Sequence, residues 1–347
     1  MTTATAIAPG AADLRRPALV RTLWLVAGVG LLLVLSILSI SFGVRAVSFD
    51  DIVAALSGQT DTIEQAAIVK RIPRTVLALL VGAALALSGA TMQAVTRNPV
   101  ADPGILGVSN GASLAVVLGI AFFGLSNPFG QMAFAIVGAA LAATFVYTVG
   151  SLGRGGATPL KLALAGAATS AAFASLISAV MLPRVDLQQT FQSWQVGGVG
   201  GAEWPRIAIT APVLALGALI CFLCSRGMNS LALGDDMAKG LGENVFRTRM
   251  LSALGAVILA GAATAIAGPI GFVGLVIPHI CRMLVGTDHR WLLPFSALAG
   301  AALLTASDIV GRVITSSSEE IQVGIITAII GAPFFIWIVS RQKVREL

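Results

Sequence analysis

Apolar runs long enough to cross a lipid bilayer follow one another along this chain, and that repetition restricts what the chain can fold into. They fall at residues 20–43, 74–95, 103–124, 130–151, 160–182, 207–226, 247–268, 272–285, 291–313 and 322–340. A hydrocarbon core about 30 Å thick takes about 20 residues of helix to cross. The pattern therefore predicts an all-α polytopic membrane protein of about ten transmembrane helices, one transmembrane domain over residues 1–347. The eighth run is too short for a full crossing and is expected to lie partly among the others. A mean hydropathy of +0.91 with 11% charged residues excludes a water-facing surface along the whole length. The long runs lack the ten-residue alternation of a transmembrane β-barrel. The 38 glycines instead offer small surfaces for close helix approach.

Basic residues orient the predicted spans. An even number of crossings puts both termini on one side, and with that side cytoplasmic, fifteen of the 22 Lys and Arg residues fall inside. The net charge of +6 is then a topology signal and gives no reason to invoke nucleic acid. Residues 1–19 read as a cytoplasmic tail, with Arg15 and Arg16 as an anchor. The apolar run after them is longer than a signal peptide's core and has no small-residue cleavage site, so it reads as a retained first span. Three connections are too polar for simple turns: the outer segment 45–73, long enough for a short amphipathic helix; the outer segment 183–206; and the inner loop 226–246. "VGAALALSGA" in span two and "LGAVILAGAA" in span seven run in opposite directions, in the manner of an inverted repeat.

Few residues look chemical. Cys221 and Cys224 share one face of an apolar helix, which is a packing arrangement. His279 and Cys281 diverge by about 200° on a helix, and no carboxylate stands one turn from His279, so the stretch "GPIGFVGLVIPHICRMLVGTDHR" reads as scaffold. Pro278 is expected to break the helix there, and Asp288-His289-Arg290 to form a cytoplasmic interfacial cap. No cofactor or metal is called for. No G-x-x-x-x-G-K-[ST] loop is present, and ionisable groups within spans are nearly absent, so a motor would have to belong to another subunit. Asp308 is the clearest exception, with Arg312 one turn away as its natural partner. In "LALGDDMAKGLG", two short helix signals are separated by glycine and charge, with Asp235 and Asp236 placed to cap a helix N-terminus. Leu231, Leu233, Met237 and Leu241 remain available as apolar contacts, for a solvated connection or for a cytoplasmic partner. Arg71, Arg74 and Arg312 gather at the outer mouth, where they anchor helices to headgroups or, pointing outward, hold carboxylates of a docking protein.

Longer motifs make the reading specific. "RIPRTVLALLVGAALALSGATMQAVTRNPVADPGILGVSNGASLAVV", "LALAGAATS", "LALGDDMAKGLG", "GPIGFVGLVIPHICRMLVGTDHRWLLP", "SDIVGRVI" and "GAPFFIWIV" stand in order from about residue 20 to the end. In them the chain closely resembles the FecCD family, permease subunits of bacterial binding-protein-dependent ABC importers for ferric siderophores, haem and vitamin B12. The resemblance implies the ten-helix type II importer fold in the plasma (inner) membrane. Its implied partners are a second permease subunit (identical or related), two cytoplasmic ATP-binding subunits and an extracytoplasmic substrate-binding protein. The subunit itself would catalyse nothing, and its substrate would be an iron–siderophore complex, with haem or vitamin B12 as the alternatives within the family. By position, Arg71, Arg74 and Arg312 would dock the binding protein. Leu231, Leu233, Gly234, Asp235, Asp236, Met237, Gly240, Leu241 and Gly242 would form the coupling segment that receives the ATPase stroke. Phe191, Trp194 and Gln195 would line the translocation path. Thr158, Pro159 and Leu160 would form the inner gate, with Pro159-Leu160 replacing the small hydroxyl pair of the vitamin B12 member. An ion-coupled secondary carrier is the rival from another class; it would need a buried charge on which transport depends.

Overall fold

The structure, a computed structural model, describes residues 18–43, 47–104, 107–152, 159–184, 194–314 and 320–341. Thirteen helices and no strand lie among them: α1 (Ala18–Ser41), α2 (Phe49–Leu56), α3 (Ile63–Thr96), α4 (Val108–Phe123), α5 (Pro128–Ser151), α6 (Pro159–Met181), α7 (Trp204–Leu223), α8 (Ser225–Leu231), α9 (Asp235–Gly240), α10 (Val245–Ala267), α11 (Val273–Val285), α12 (His289–Val313) and α13 (Val323–Arg341). Seven are long and apolar enough to cross a membrane. The shorter apolar helices α4, α11 and the apolar part of α13 correspond to the remaining predicted runs. At 13 residues, or about 20 Å, α11 falls short of a crossing, as its sequence implies.

Two boundaries differ from the sequence reading. The second span was placed from residue 74, yet α3 starts at Ile63, because Thr62 and Gln65 form a reciprocal capping box that fixes the first turn. Pro73 lies inside this helix. Its 34 residues make a rod about 51 Å long, more than a bilayer core requires, so one end projects. The amphipathic segment ahead of it folds as α2, capped by Ser48 and Asp51. The predicted break at Pro278 also moves. α11 runs through Pro278, and the chain is broken before it, at Gly268 and Phe272, both at positive φ. Phe272 has φ 69°, a costly conformation for an aromatic residue, and its side chain packs against Gly331, where any Cβ would collide with it.

α3 runs through the centre of the bundle, buried along most of its length against α12, α10 and α11. In a membrane no hydrophobic gain distinguishes a neighbouring helix from lipid, so helices adhere where their backbones come close. Gly82 of α3 faces Gly300 of α12 so closely that a Cβ on either would strike the other's carbonyl oxygen, and a Cβ on Gly89 would strike the carbonyl of Gly274 of α11. Serine and glutamine side chains on α3 bind stray carbonyls across these contacts, Ser88 donating to Ala256 at 2.6 Å and Gln93 to Gly274 at 3.1 Å. α1, by contrast, leaves most of its apolar surface outward.

Replacing Gly82 or Gly300 by Ala is expected to cost about 1–3 kcal/mol through overpacking. Gly30→Ala on α1, where a Cβ meets nothing within 4 Å, should be neutral. Thermal unfolding of the purified protein in detergent reads the difference.

Candidate functional site

Two polar sites mark opposite ends of α3. At the first, the C-terminal end of α1 has carbonyls with no intrahelical partner, and arginines from two other helices supply the donors. Arg71 of α3 donates to the carbonyls of Ile40 and Ser41 at 3.1 Å. Arg312 of α12 donates to those of Ser39 and Phe42 at 2.9 Å and to Ser39 Oγ at 2.8 Å. Positive charge at a helix C-terminus also complements its dipole.

Asp308 is the counter-charge of this cluster. One of its oxygens accepts from Arg74 Nη2 at 2.8 Å and Nε at 3.0 Å, while Arg312 Nη2 lies 3.0 Å from the other. Arg74 Nη1 reaches Glu320 Oε2 at 2.5 Å. Asp308 is 2% exposed and Glu320 33%. The sequence brings Arg312 to Asp308 by helical spacing. It gives no signal for Arg74 and Glu320, which arrive from 234 positions away and from across a loop. The picture of three arginines pointing outward does not describe this conformation: Arg71 and Arg312 are buried, and Arg74 is mostly so.

At the other end, "LALGDDMAKGLG" contains one short helix, α9, where two are expected; α8 precedes the motif and reaches it only at Leu231. Gly234 and Gly242 adopt positive φ on either side of α9 and turn the chain into and out of it. Asp235 was expected to cap a helix, but Gly234 is the N-cap and makes no side-chain bond. The Asp235 carboxylate instead pairs with Arg97, at the end of α3, and with Arg249 of α10 at 3.0 Å. Desolvation opposes its charge, yet Arg249 and Arg97 prevail and hold its pKa below the ordinary carboxylate value. The tie is therefore fully formed at neutral pH and is lost only as pH falls through that lowered value. Asp236 stays exposed beside Lys239. Leu231 turns inward onto Ala238 and Val245, whereas Leu233, Met237 and Leu241 are 58–65% exposed. Three apolar side chains thus stand exposed beside Asp236 and Lys239, while Asp235 is tied to the bundle.

α8 is held to α12 by a second network. Asn229 donates to Asp288 at 2.7 Å and accepts from the His289 backbone at 2.8 Å, and its Oδ1 lies 2.8 Å from the His289 ring. Asp288 caps α12 and pairs with Arg290 at 2.9 Å. Despite partial desolvation, these bonds from Arg290 and Asn229 bring Asp288 down to about 2. His279 packs edge-on against Phe334. Both histidines therefore sit in structural contacts.

Between the two ends, three irregular backbone stretches meet. Gly198 N donates to Ala267 O at 2.7 Å, Gly324 N donates to Gly197 O at 3.0 Å, and the Trp194 carbonyl abuts Gly268. Gln195 is exposed and Trp194 half-buried, while Phe191 lies outside the described residues. Of the gate positions, Pro159 and Leu160 begin α6 with Leu160 exposed, and Thr158 lies outside the described residues.

Residues 31–341 match the FecCD transport family. The chain is 44% identical over 314 residues to the ferric enterobactin transport system permease protein FepD of Escherichia coli, covering 90% of this chain and 93% of that protein. It is 41% identical over 321 residues to the iron(3+)-hydroxamate import system permease protein FhuB of Bacillus subtilis, covering 92% and 83%. A solved inward-facing structure of a metal-chelate type ABC transporter superposes with a TM-score of 0.77 at 31% identity, covering 92% of this chain and 99% of that one.

Asp308→Ala leaves Arg74 and Arg312 without their shared anion and is expected to destabilise the protein by about 3–5 kcal/mol. Asp236→Ala, at an exposed position, should leave stability unchanged. Parallel thermal unfolding of the two variants is the check.

Proposed function

The chain belongs to the FecCD transport family, and from this premise we propose that it carries an iron–siderophore complex across the bacterial inner membrane, driven by separate ATPase subunits. As an ABC importer permease it is a multi-pass membrane subunit with no catalytic role of its own. A ferric chelate as cargo is supported by the names of the FepD and FhuB relatives. Haem or vitamin B12 in its place is the competing outcome of a transport assay.

The observation that carries the mechanism is the exposed apolar face of α9. Exposed Leu233, Met237 and Leu241, with the charged Asp236 and Lys239 at their rim and Asp235 tied to the bundle, are suited to burial against another protein. In this reading an ATPase subunit grips Leu233, Met237 and Leu241, with Gly234, Gly240 and Gly242 allowing the turns and Asp236 at the rim. Asp235 passes the movement to Arg97 and Arg249, and so to α3 and α10. Leu231 anchors the segment from below. The α9 end and both termini face the cytoplasm. The arginine cluster Arg71, Arg74 and Arg312 faces outward and receives a substrate-binding protein, with Arg74 nearest the surface. A second permease subunit completes the path, to which Phe191, Trp194 and Gln195 contribute; Thr158, Pro159 and Leu160 stand at its inner gate. Alternating access follows from rocking of the two halves. An ion-coupled carrier gains no support, since Asp308 is fixed between two arginines and has no free site for a coupling ion.

Reconstitution with the ATPase subunits and the binding protein encoded beside this chain should give vanadate-sensitive, ATP-dependent uptake of radio-iron as a ferric siderophore. Uptake driven by an ion gradient alone would overturn the reading. Met237→Glu buries a carboxylate in the ATPase contact and should lower uptake at least about tenfold without altering thermal stability. Unchanged uptake would remove α9 from the coupling role.

A further inference from the structure

Arg74 is already occupied, and its two acidic partners are not equivalent. Asp308 is enclosed, with its oxygens shared between Arg74 and Arg312. Glu320 is one-third exposed, and its contact with Arg74 is a single bond to Nη1. A carboxylate arriving from solvent meets Arg74 on the side that Glu320 covers, not on the side that Asp308 holds.

We propose that Glu320 is an internal stand-in for a carboxylate of the docking protein, displaced from Arg74 when that protein binds. The inference rests on the reading of the arginine cluster as the docking surface. Charge favours the exchange. Three guanidinium groups stand against two carboxylates in the cluster, and Arg74 is the one left partly open to an incoming acidic side chain, so ion-pairing capacity is conserved when Glu320 leaves. Because Glu320 must be removed from Arg74 first, it lowers the apparent affinity of the partner.

The displaced group is also attached to something. Glu320 leads into α13 through a strap of only Ile321 and Gln322. Ile321 N donates to Gly311 O at 3.2 Å, the Gln322 side chain rests on Gly198, and Gly324 N donates to Gly197 O at 3.0 Å. The same strap that ends on Arg74 therefore holds the 196–198 backbone, next to Trp194 and Gln195. Docking that frees Glu320 loosens the strap on that segment, which converts an event at the surface into freedom at the path. By linkage, whatever loosens the strap must in turn favour docking.

The test uses the assembled permease–ATPase complex in nanodiscs, with the substrate-binding protein encoded beside it as the probe. Dissociation constants are measured for the parent, Arg74→Ala, Glu320→Gln and Glu320→Asp, with thermal unfolding as a control for folding. Arg74→Ala should weaken binding at least about tenfold. Glu320→Gln should tighten it about fivefold or more and raise ATP hydrolysis in the absence of the binding protein. Glu320→Asp keeps the charge and should return the affinity toward the parent value. Weakened binding in Arg74→Ala with no tightening in Glu320→Gln overturns the stand-in role and leaves the docking surface intact. Unaltered binding in Arg74→Ala overturns the docking surface itself.

Discussion

A bilayer offers helix ends no water to bond, so every carbonyl left over at the end of a span needs a donor from the protein or from the interface. In this chain the end of α1 obtains its donors from Arg71 and Arg312. Arg312 in turn pairs with Asp308, which also holds Arg74. α1, α3 and α12 are thereby joined at one end by hydrogen bonds, whereas along their lengths α3 and α12 are joined by glycine contacts. The cluster that looks like a recognition surface is thus first a structural closure. Any recognition it performs uses the donors that remain nearest the surface.

The opposite end obeys the same economy. Asp235 belongs to a segment that stands out from the bundle, yet its charge is committed to Arg97 and Arg249. Leu233, Met237 and Leu241 remain outward beside Asp236 and Lys239. Three exposed apolar side chains on a segment tied to the bundle through Asp235 are the physical basis for reading α9 as a partner's foothold.

The spans were legible in the sequence because twenty apolar residues in a row have few alternatives. So were the short helix α9 in the inner loop, marked by glycine and charge, and the pairing of Asp308 with Arg312, which is set by helical spacing alone. The break before α11 was not. Pro278 is the visible breaker, but its ring is accommodated within the helix, and the real discontinuity at Gly268 and Phe272 depends on how Phe272 packs on Gly331. Leu231 and Leu233 are indistinguishable by composition, and only the position of Ala238 and Val245 buries one and leaves the other exposed. Asp235 reads as a cap from its neighbours in sequence because its true partners come from α3 and α10. The roles of Arg74 and Glu320 were hidden for the same reason: long-range ion pairs leave no local periodicity.

One consequence follows from the length of α3. Arg74 near one end and Arg97 at the other belong to a single helix with no proline between them, about 35 Å apart along its axis. Clamped at Gly82 and Gly89 by its neighbours' backbones, this helix can neither twist nor bend cheaply at its middle. A displacement imposed at either tip of such a lever arrives at the other as translation.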